Sequence, residues 1–235
     1  MRELRAYRNV AAPELRADGD TTTLSGYAAL FNVYSQDLGG WVEQIAPTAF
    51  DGTLSRSERN VLGSFNHNLD LLLATRDSGT LDLTVDGNGL AYAMQLDMSD
   101  PDAQRVAAKV ASGKVRGSSF SFAVREGGVA WGTTESGYPM RTVTDAVLYE
   151  LGPVASPAYL QTQNDGAAVA LRSFADFVDL PLEQVTEAAA AGRLSDLIAR
   201  DLPSQDEEPA PETPRETPVE EAAPARRGRH NPPSR

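Results

Sequence analysis

Cysteine is absent from these 235 residues. Disulfides, thiolate nucleophiles and thiolate metal sites are excluded with it. Histidine is almost absent as well: His67 and His230 are the whole supply. Two histidines so far apart offer no histidine-rich metal site, and no cofactor is expected. No apolar run approaches the roughly 20 residues that a membrane-spanning helix requires. Positive charge is in deficit, 21 Lys and Arg against 33 Asp and Glu, for a net charge of −12. Phosphate binding draws on clustered Lys and Arg, so nucleic acid is not an expected partner. The opening stretch, MRELRAYRNVAAPELRADGD, scatters its charges and lacks the apolar core of a secretory signal. Neither a membrane nor export is expected; a reducing cytoplasm is the expected setting.

What the chain does have is a hydrophobic content of 41%, enough for one buried domain with an appendage. Residues 20–160 read mainly as strands, within a domain expected over about 20–165. TTTLSGYAALFNV is rich in β-branched and aromatic residues. LDLTVDGNGLAYAMQL is two alternating segments around Asp86-Gly87-Asn88-Gly89, a hairpin signal. One helix interrupts them in DMSDPDAQRVAAKVASG. Asp100 suits its N-cap, Pro101 its first position and Gly113 its stop, and Val106, Ala107 and Val110 form its apolar stripe. The expected class is α+β, β-rich, with helices packed on the strands.

Residues 1–19 read as an N-terminal arm. A helical extension is expected over 166–200: in 174–202, Leu182, Val185 and Ala189 recur at helical spacing, Gly192 breaks the run, and Leu194, Leu197 and Ile198 form a second stripe. Composition then changes sharply. Residues 201–235 hold eight of the chain's 15 prolines and almost no large apolar side chain. Such a segment cannot offset its ordering entropy by burial and reads as disordered. Arg226, Arg227 and Arg229 there read as a solubilising end or a docking patch.

Three stretches carry chemistry. In LGSFNHNLDLLL, His67 sits between two asparagines, and it is the only imidazole outside the tail. In KVRGSSFSFAV, strand alternation puts Phe120, Phe122 and Val124 on one face, the core face, and Ser119, Ser121 and Ala123 on the other. Ser118 falls on the phenylalanine face. In RTVTDAVLYELGPVASPAY, a regular strand gives Thr144, Ala146, Leu148 and Glu150 a common face and turns Asp145 away. A serine hydroxyl is a weak nucleophile until a base takes its proton, and a third group orients the base. His67 is the only base of that kind in the folded part, and Ser119 and Glu150 can complete the set. Their order, His…Ser…acid, is not that of chymotrypsin or of the α/β-hydrolases, and no G-x-S-x-G elbow occurs. Each residue also has a plain structural reading: Asn66, His67 and Asn68 as turn residues, small serines as packing, Glu150 as a charge guarding an edge strand.

The motifs add a further reading. GYAALFNVYSQDLGGWVEQIAPTAF, FNHN followed by Ala74-Thr75-Arg76, GTLDLTVDGNGLAYAMQL, VRGSSFSF and LYELGPVASPAY occur in one order over about residues 25–160. Together the chain resembles the prohead proteases of tailed bacteriophages, the HK97-type maturation proteases. The resemblance implies a bent β-barrel of the herpesvirus-assembly-protease type, ringed by helices. It implies His67 as general base, Ser119 as nucleophile and Glu150 as the acidic member, with Asp145 the alternative. Ser118 and Ser121 stand where the family often has other residues, and Gly152 replaces a usual serine. The implied activity is a serine endopeptidase that cleaves the scaffolding segment of the major capsid protein, and itself, inside the assembling procapsid in the host cytoplasm. The major capsid protein is the implied partner, and homodimerisation follows by analogy with the herpesvirus enzymes. Backbone N–H groups near 117–120 or 151–153 are the candidate oxyanion donors. The competing readings are a catalytically silent assembly scaffold of the same fold and a serine hydrolase acting on esters.

Overall fold

A computed structural model describes residues 3–6, 12–55, 60–155 and 164–198. All belong to one unit, Met1–Asp201. The expected tail, 201–235, lies outside the described residues, as do 156–163 beside the expected domain boundary at 165.

Twelve strands and five helices make up the described part. The first sheet contains the stretches singled out above. Its strands are β1 (Glu3–Ala6), β5 (Leu62–Phe65), β6 (Asn68–Thr75), β9 (Gly117–Val124) and β12 (Ala146–Val154), in the order β1-β9-β12-β5-β6. β12 runs antiparallel to β9 and parallel to β5. A second sheet, β10-β11-β4, joins β10 (Val129–Thr133), β11 (Pro139–Val143) and β4 (Val42–Ile45). A third, β2-β3-β8-β7, joins β2 (Glu14–Asp18), β3 (Thr21–Leu30), β8 (Gly89–Leu96) and β7 (Leu81–Val85). The strand-rich α+β class is therefore observed. The closed barrel is not: each of the three sheets ends in two edge strands among the described residues. The arm expected over 1–19 contains two paired strands, β1 against β9 and β2 against β3.

The main core lies between the sheets. Phe120 and Phe122 stack at 5.2 Å on the apolar face of β9, and Phe50 meets Phe120 edge-on at 5.7 Å. Leu24, Ile45, Leu90, Met94, Leu148 and Leu151 are buried with them. Each such side chain contributes roughly 1.5–3 kcal/mol relative to exposure. Helix α1 (Asp51–Ser55) leads out of this core, and α2 (Pro101–Ala111) closes one side of it with Ala103, Val106, Ala107 and Val110. The Asp100 side chain accepts the Asp102 N–H, Pro101 opens the helix, and Gly113 follows it at φ +68°. Those start and stop signals act where the sequence puts them.

The C-terminal helices differ from expectation. Helix α3 (Asn164–Phe177) begins two residues before the extension expected from 166, and α4 (Leu182–Ala190) and α5 (Leu194–Ile198) follow. The chain cannot stay helical through 174–190, because Asp179 takes φ +49° and Pro181 removes a backbone donor at the α4 N-cap. A second core forms here, with Phe174, Val185, Leu194 and Ile198 packed around Trp41 and Trp131 next to the second sheet. No described helix is long and apolar enough to cross a membrane.

Candidate active site

His67 stands at the tip of a hairpin. Phe65 pairs with Asn68, so the loop between β5 and β6 is only Asn66 and His67. Both have positive φ, +55° and +58°. Two such residues in a two-residue loop make the type I′ turn whose twist suits a hairpin, and Asn is favoured in it. A non-glycine residue rarely takes this conformation, though histidine does so more readily than most. Asn66 ties the turn to the end of β12: its N–H donates to the Pro153 carbonyl at 3.1 Å, and its Oδ1 accepts the Ala155 N–H at 2.9 Å. Asn68 does less, capping the Asp70 N–H at 2.9 Å.

The turn aims the imidazole between two side chains. Nε2 lies 2.7 Å from Ser119 Oγ, and Nδ1 lies 2.5 Å from Glu150 Oε2. Histidine and serine are 52 residues apart in sequence. The second Glu150 oxygen accepts the Ser64 hydroxyl at 2.7 Å. Ser64 is fully buried on β5 and was not singled out in the sequence. Its signal was weak: it lies three residues before His67, in a strand that pairs parallel with the strand of Glu150. A carboxylate at Nδ1 holds that nitrogen's proton, so Nε2 of the neutral ring is left to accept one from Ser119.

β9 behaves as its alternation says. Phe120 and Phe122 are wholly buried in the core, and Ser118 turns to the Tyr92 hydroxyl at 2.8 Å. Ser119 faces the other way. β12 does not keep alternation. Leu148 pairs with Phe122, yet Glu150 pairs with Ser121, so Tyr149 is an extra residue. This β-bulge turns Glu150 from the core face that it would share with Leu148 to the face of Ser119 and Ser121. The expected common face of Leu148 and Glu150 is thus broken, and the acid reaches the histidine because of the break. Asp145 stands elsewhere, half exposed, with its Oδ1 3.3 Å from Arg125 Nε.

Gly152 pairs with Ser119 across the ladder. A Cβ on it would fall 2.0 Å from the Ser64 carbonyl oxygen. Only glycine lets β12 and β5 approach this closely.

One contact comes from outside these strands. The Ser119 hydroxyl also lies 2.7 Å from the Arg5 carbonyl, on β1, and Ser119 has no exposed surface. Glu3 and Arg5 are held by the second sheet. Arg5 donates to Glu43 through Nε at 2.7 Å and Nη2 at 3.1 Å. Arg141 donates to Glu3 at 2.8 and 3.1 Å, and to Glu43 at 2.8 Å. All four side chains are buried. Burial alone would raise the Glu3 carboxyl, but Arg141 and Arg5 outweigh it and hold it below its ordinary value. Among the described residues, no three His, Asp or Glu side chains converge to hold a metal ion.

A serine, an imidazole and a carboxylate in one hydrogen-bonded line are the equipment of a hydrolase that works through an acyl intermediate. The chain belongs to the caudovirus prohead serine protease family, whose model matches residues 9–177. Among solved structures it is similar to the bacteriophage T4 capsid assembly protease, at 12% identity and a TM-score of 0.46, over 65% of this chain and 97% of that one. No curated protein matches it.

Proposed function

We propose that this chain is a prohead maturation protease in which Ser119 is the nucleophile, His67 the general base and Glu150 the group that orients the imidazole. The observation that carries the reading is His67 hydrogen-bonded to Ser119 through one ring nitrogen and to Glu150 through the other. In this mechanism His67 takes the Ser119 proton as Oγ attacks the scissile carbonyl. It returns a proton to the leaving amine, then activates the water that frees the acyl-enzyme. Glu150 stabilises the imidazolium that forms at each step. Ser64 holds the second oxygen of that carboxylate and so fixes its plane.

The substrate in this reading is the scaffolding segment of the major capsid protein, with self-cleavage as a second event, inside the procapsid in the host cytoplasm. Membership of the prohead protease family supports the capsid substrate. A homodimer is part of the same proposal, by analogy alone.

The test is co-expression with the neighbouring capsid protein, wild type beside Ser119→Ala, with intact masses read for both chains. A capsid N-terminus shortened only by the wild type is the expected result. Identical masses in the two samples, with capsids still assembling, would favour the silent scaffold instead.

A further inference from the structure

We propose that β1 occupies the place of the substrate strand, and that Glu43 and Arg141 select a basic residue just before the cut and an acidic residue two positions earlier. The inference rests on Ser119 being the nucleophile. Four observations lead to it. β1 is an edge strand, and without it the edge of β9 that bears Ser119 is free to pair with another extended chain. Proteins commonly bind peptides by adding a strand in this way, with pockets for alternate side chains giving the selectivity. β1 also precedes the stretch, 9–177, that the family model matches.

The second observation is the atom that meets the nucleophile. The Arg5 carbonyl oxygen is 2.7 Å from Ser119 Oγ. The residue whose carbonyl contacts the nucleophile is the one whose acyl group the serine would take. Ser119 has one hydroxyl hydrogen, which can go to His67 Nε2 or to the Arg5 oxygen but not to both in full. β1 therefore covers the nucleophile and competes for its proton.

The third is the fate of the two alternate side chains. Arg5 meets Glu43 with two of its nitrogens, the forked geometry that a guanidinium uses to recognise a carboxylate. Glu3, two residues earlier and on the same face of the strand, meets two nitrogens of Arg141. Glu43 and Arg141 are themselves cross-strand neighbours on β4 and β11. Together they form one negative and one positive receptor, spaced for residues i and i+2 of an added strand.

The fourth is the cost of this arrangement. Four buried charges hold a strand less well than packed apolar side chains of the same size would. What charges supply is register. They fix which carbonyl stands at Ser119.

A substrate bound in the place of β1 would be attacked at the carbonyl of its basic residue. The Ser119 Oγ–carbon bond forms and the bond to the next nitrogen breaks. The amine leaves with the proton carried by His67, and water releases the new carboxylate.

The experiment uses the full chain and a fluorophosphonate that labels reactive serines, with the labelled residue mapped by mass spectrometry. Wild type is compared with Arg5→Gln, which leaves Glu3 and Glu43 sharing one cation and loosens β1. Two peptides are added in turn: RELRAYRN, the chain's own residues 2–9, and RRLEAYRN, in which the charges at 3 and 5 are exchanged. Labelling of Ser119 should be at least tenfold faster in Arg5→Gln, and RELRAYRN should slow it where RRLEAYRN does not. Equal labelling rates in the two chains, or equal effects of the two peptides, would overturn the proposal while leaving Ser119 as nucleophile. Should Arg5→Gln fail to fold by circular dichroism, the wild-type cut sites on the capsid protein decide. Each should follow Lys or Arg with Asp or Glu two residues earlier; cuts without a basic residue there overturn it. Absence of labelling at Ser119 in both chains, together with absence of any cut, would sink the catalytic reading itself.

Discussion

Strands β9 and β12 lie side by side and treat alternation differently. β9 holds a period of two throughout: Ser118, Phe120 and Phe122 to the core, Ser119 and Ser121 to the other face. β12 holds it as far as Leu148, spends Tyr149 on a bulge, and resumes on the opposite phase at Glu150. The nucleophile candidate therefore sits where a pattern is kept, and its acidic partner where one is broken. A strand confined to strict alternation could not bury Leu148 in the core and present Glu150, two residues on, to the other face. One inserted residue lets both happen.

That comparison can be broken at its largest effect by Glu150→Gln. The amide keeps the size of the side chain but removes the charge that holds the proton on His67 Nδ1. Loss of the equivalent charge in serine proteases costs about 10⁴-fold in kcat. A loss of that order is expected here, measured as capsid cleavage rate, with the melting temperature shifted by only a few degrees. Cleavage within threefold of wild type would mean that the phase change of β12 serves packing alone.

Gly152→Ala probes the same strand two residues further on. Its new methyl carbon would enter the Ser64 carbonyl, which belongs to the backbone and cannot swing away. β12 and β5 must part, at about 3 kcal/mol or more in stability, the range of overpacked cores and strained backbone sites. Chemical denaturation reads this directly. A variant as stable as wild type would show that the two strands need no such closeness.

Ser64→Ala is expected to do less. It removes one hydrogen bond from a buried carboxylate, about 2 kcal/mol by the usual cost of a charge-assisted bond. The same loss frees the carboxylate plane and should lower kcat about tenfold with KM unchanged. Ser64→Thr, which keeps the hydroxyl, should recover part of that rate.

Much of this was legible in the sequence, and the illegible parts have particular causes. The α2 helix was marked at both ends by Asp100, Pro101 and Gly113, because caps act locally. The β7–β8 hairpin was marked by its turn residues for the same reason. The apolar and hydroxyl faces of β9 could be assigned because alternation needs no knowledge of neighbours. The bulge could not be foreseen: it arises from how β12 must match β9, and nothing in AVLYELGPV marks Tyr149 as the extra residue. The break near Pro181 has a local cause as well, since proline removes a backbone donor, but apolar residues recur at helical spacing on its C-terminal side. Closure of the sheets into a barrel was implied by resemblance alone, and the hydrogen-bond ladders trace three separate sheets. Ser64 and β1 reach the site through tertiary contacts, which neither the neighbourhood of Ser64 to His67 nor the sequence of β1 reveals.

Asp145 is the acid that alternation on β12 would have turned away from the core, and it gives the smallest expected effect. It stands before the bulge and pairs with Arg125 at 3.3 Å, with about half of its side chain exposed. An exposed pair of that kind is worth about 0–1 kcal/mol, because water screens the charges and the side chains lose freedom in pairing. Asp145→Asn should therefore leave the melting temperature within about two degrees and kcat within about twofold of wild type. Added salt should narrow even that difference, since it screens exposed pairs first. A loss of activity as large as that of Glu150→Gln would reverse the assignment. It would mean that the acid that acts with His67 during turnover is not the one hydrogen-bonded to it in this structure.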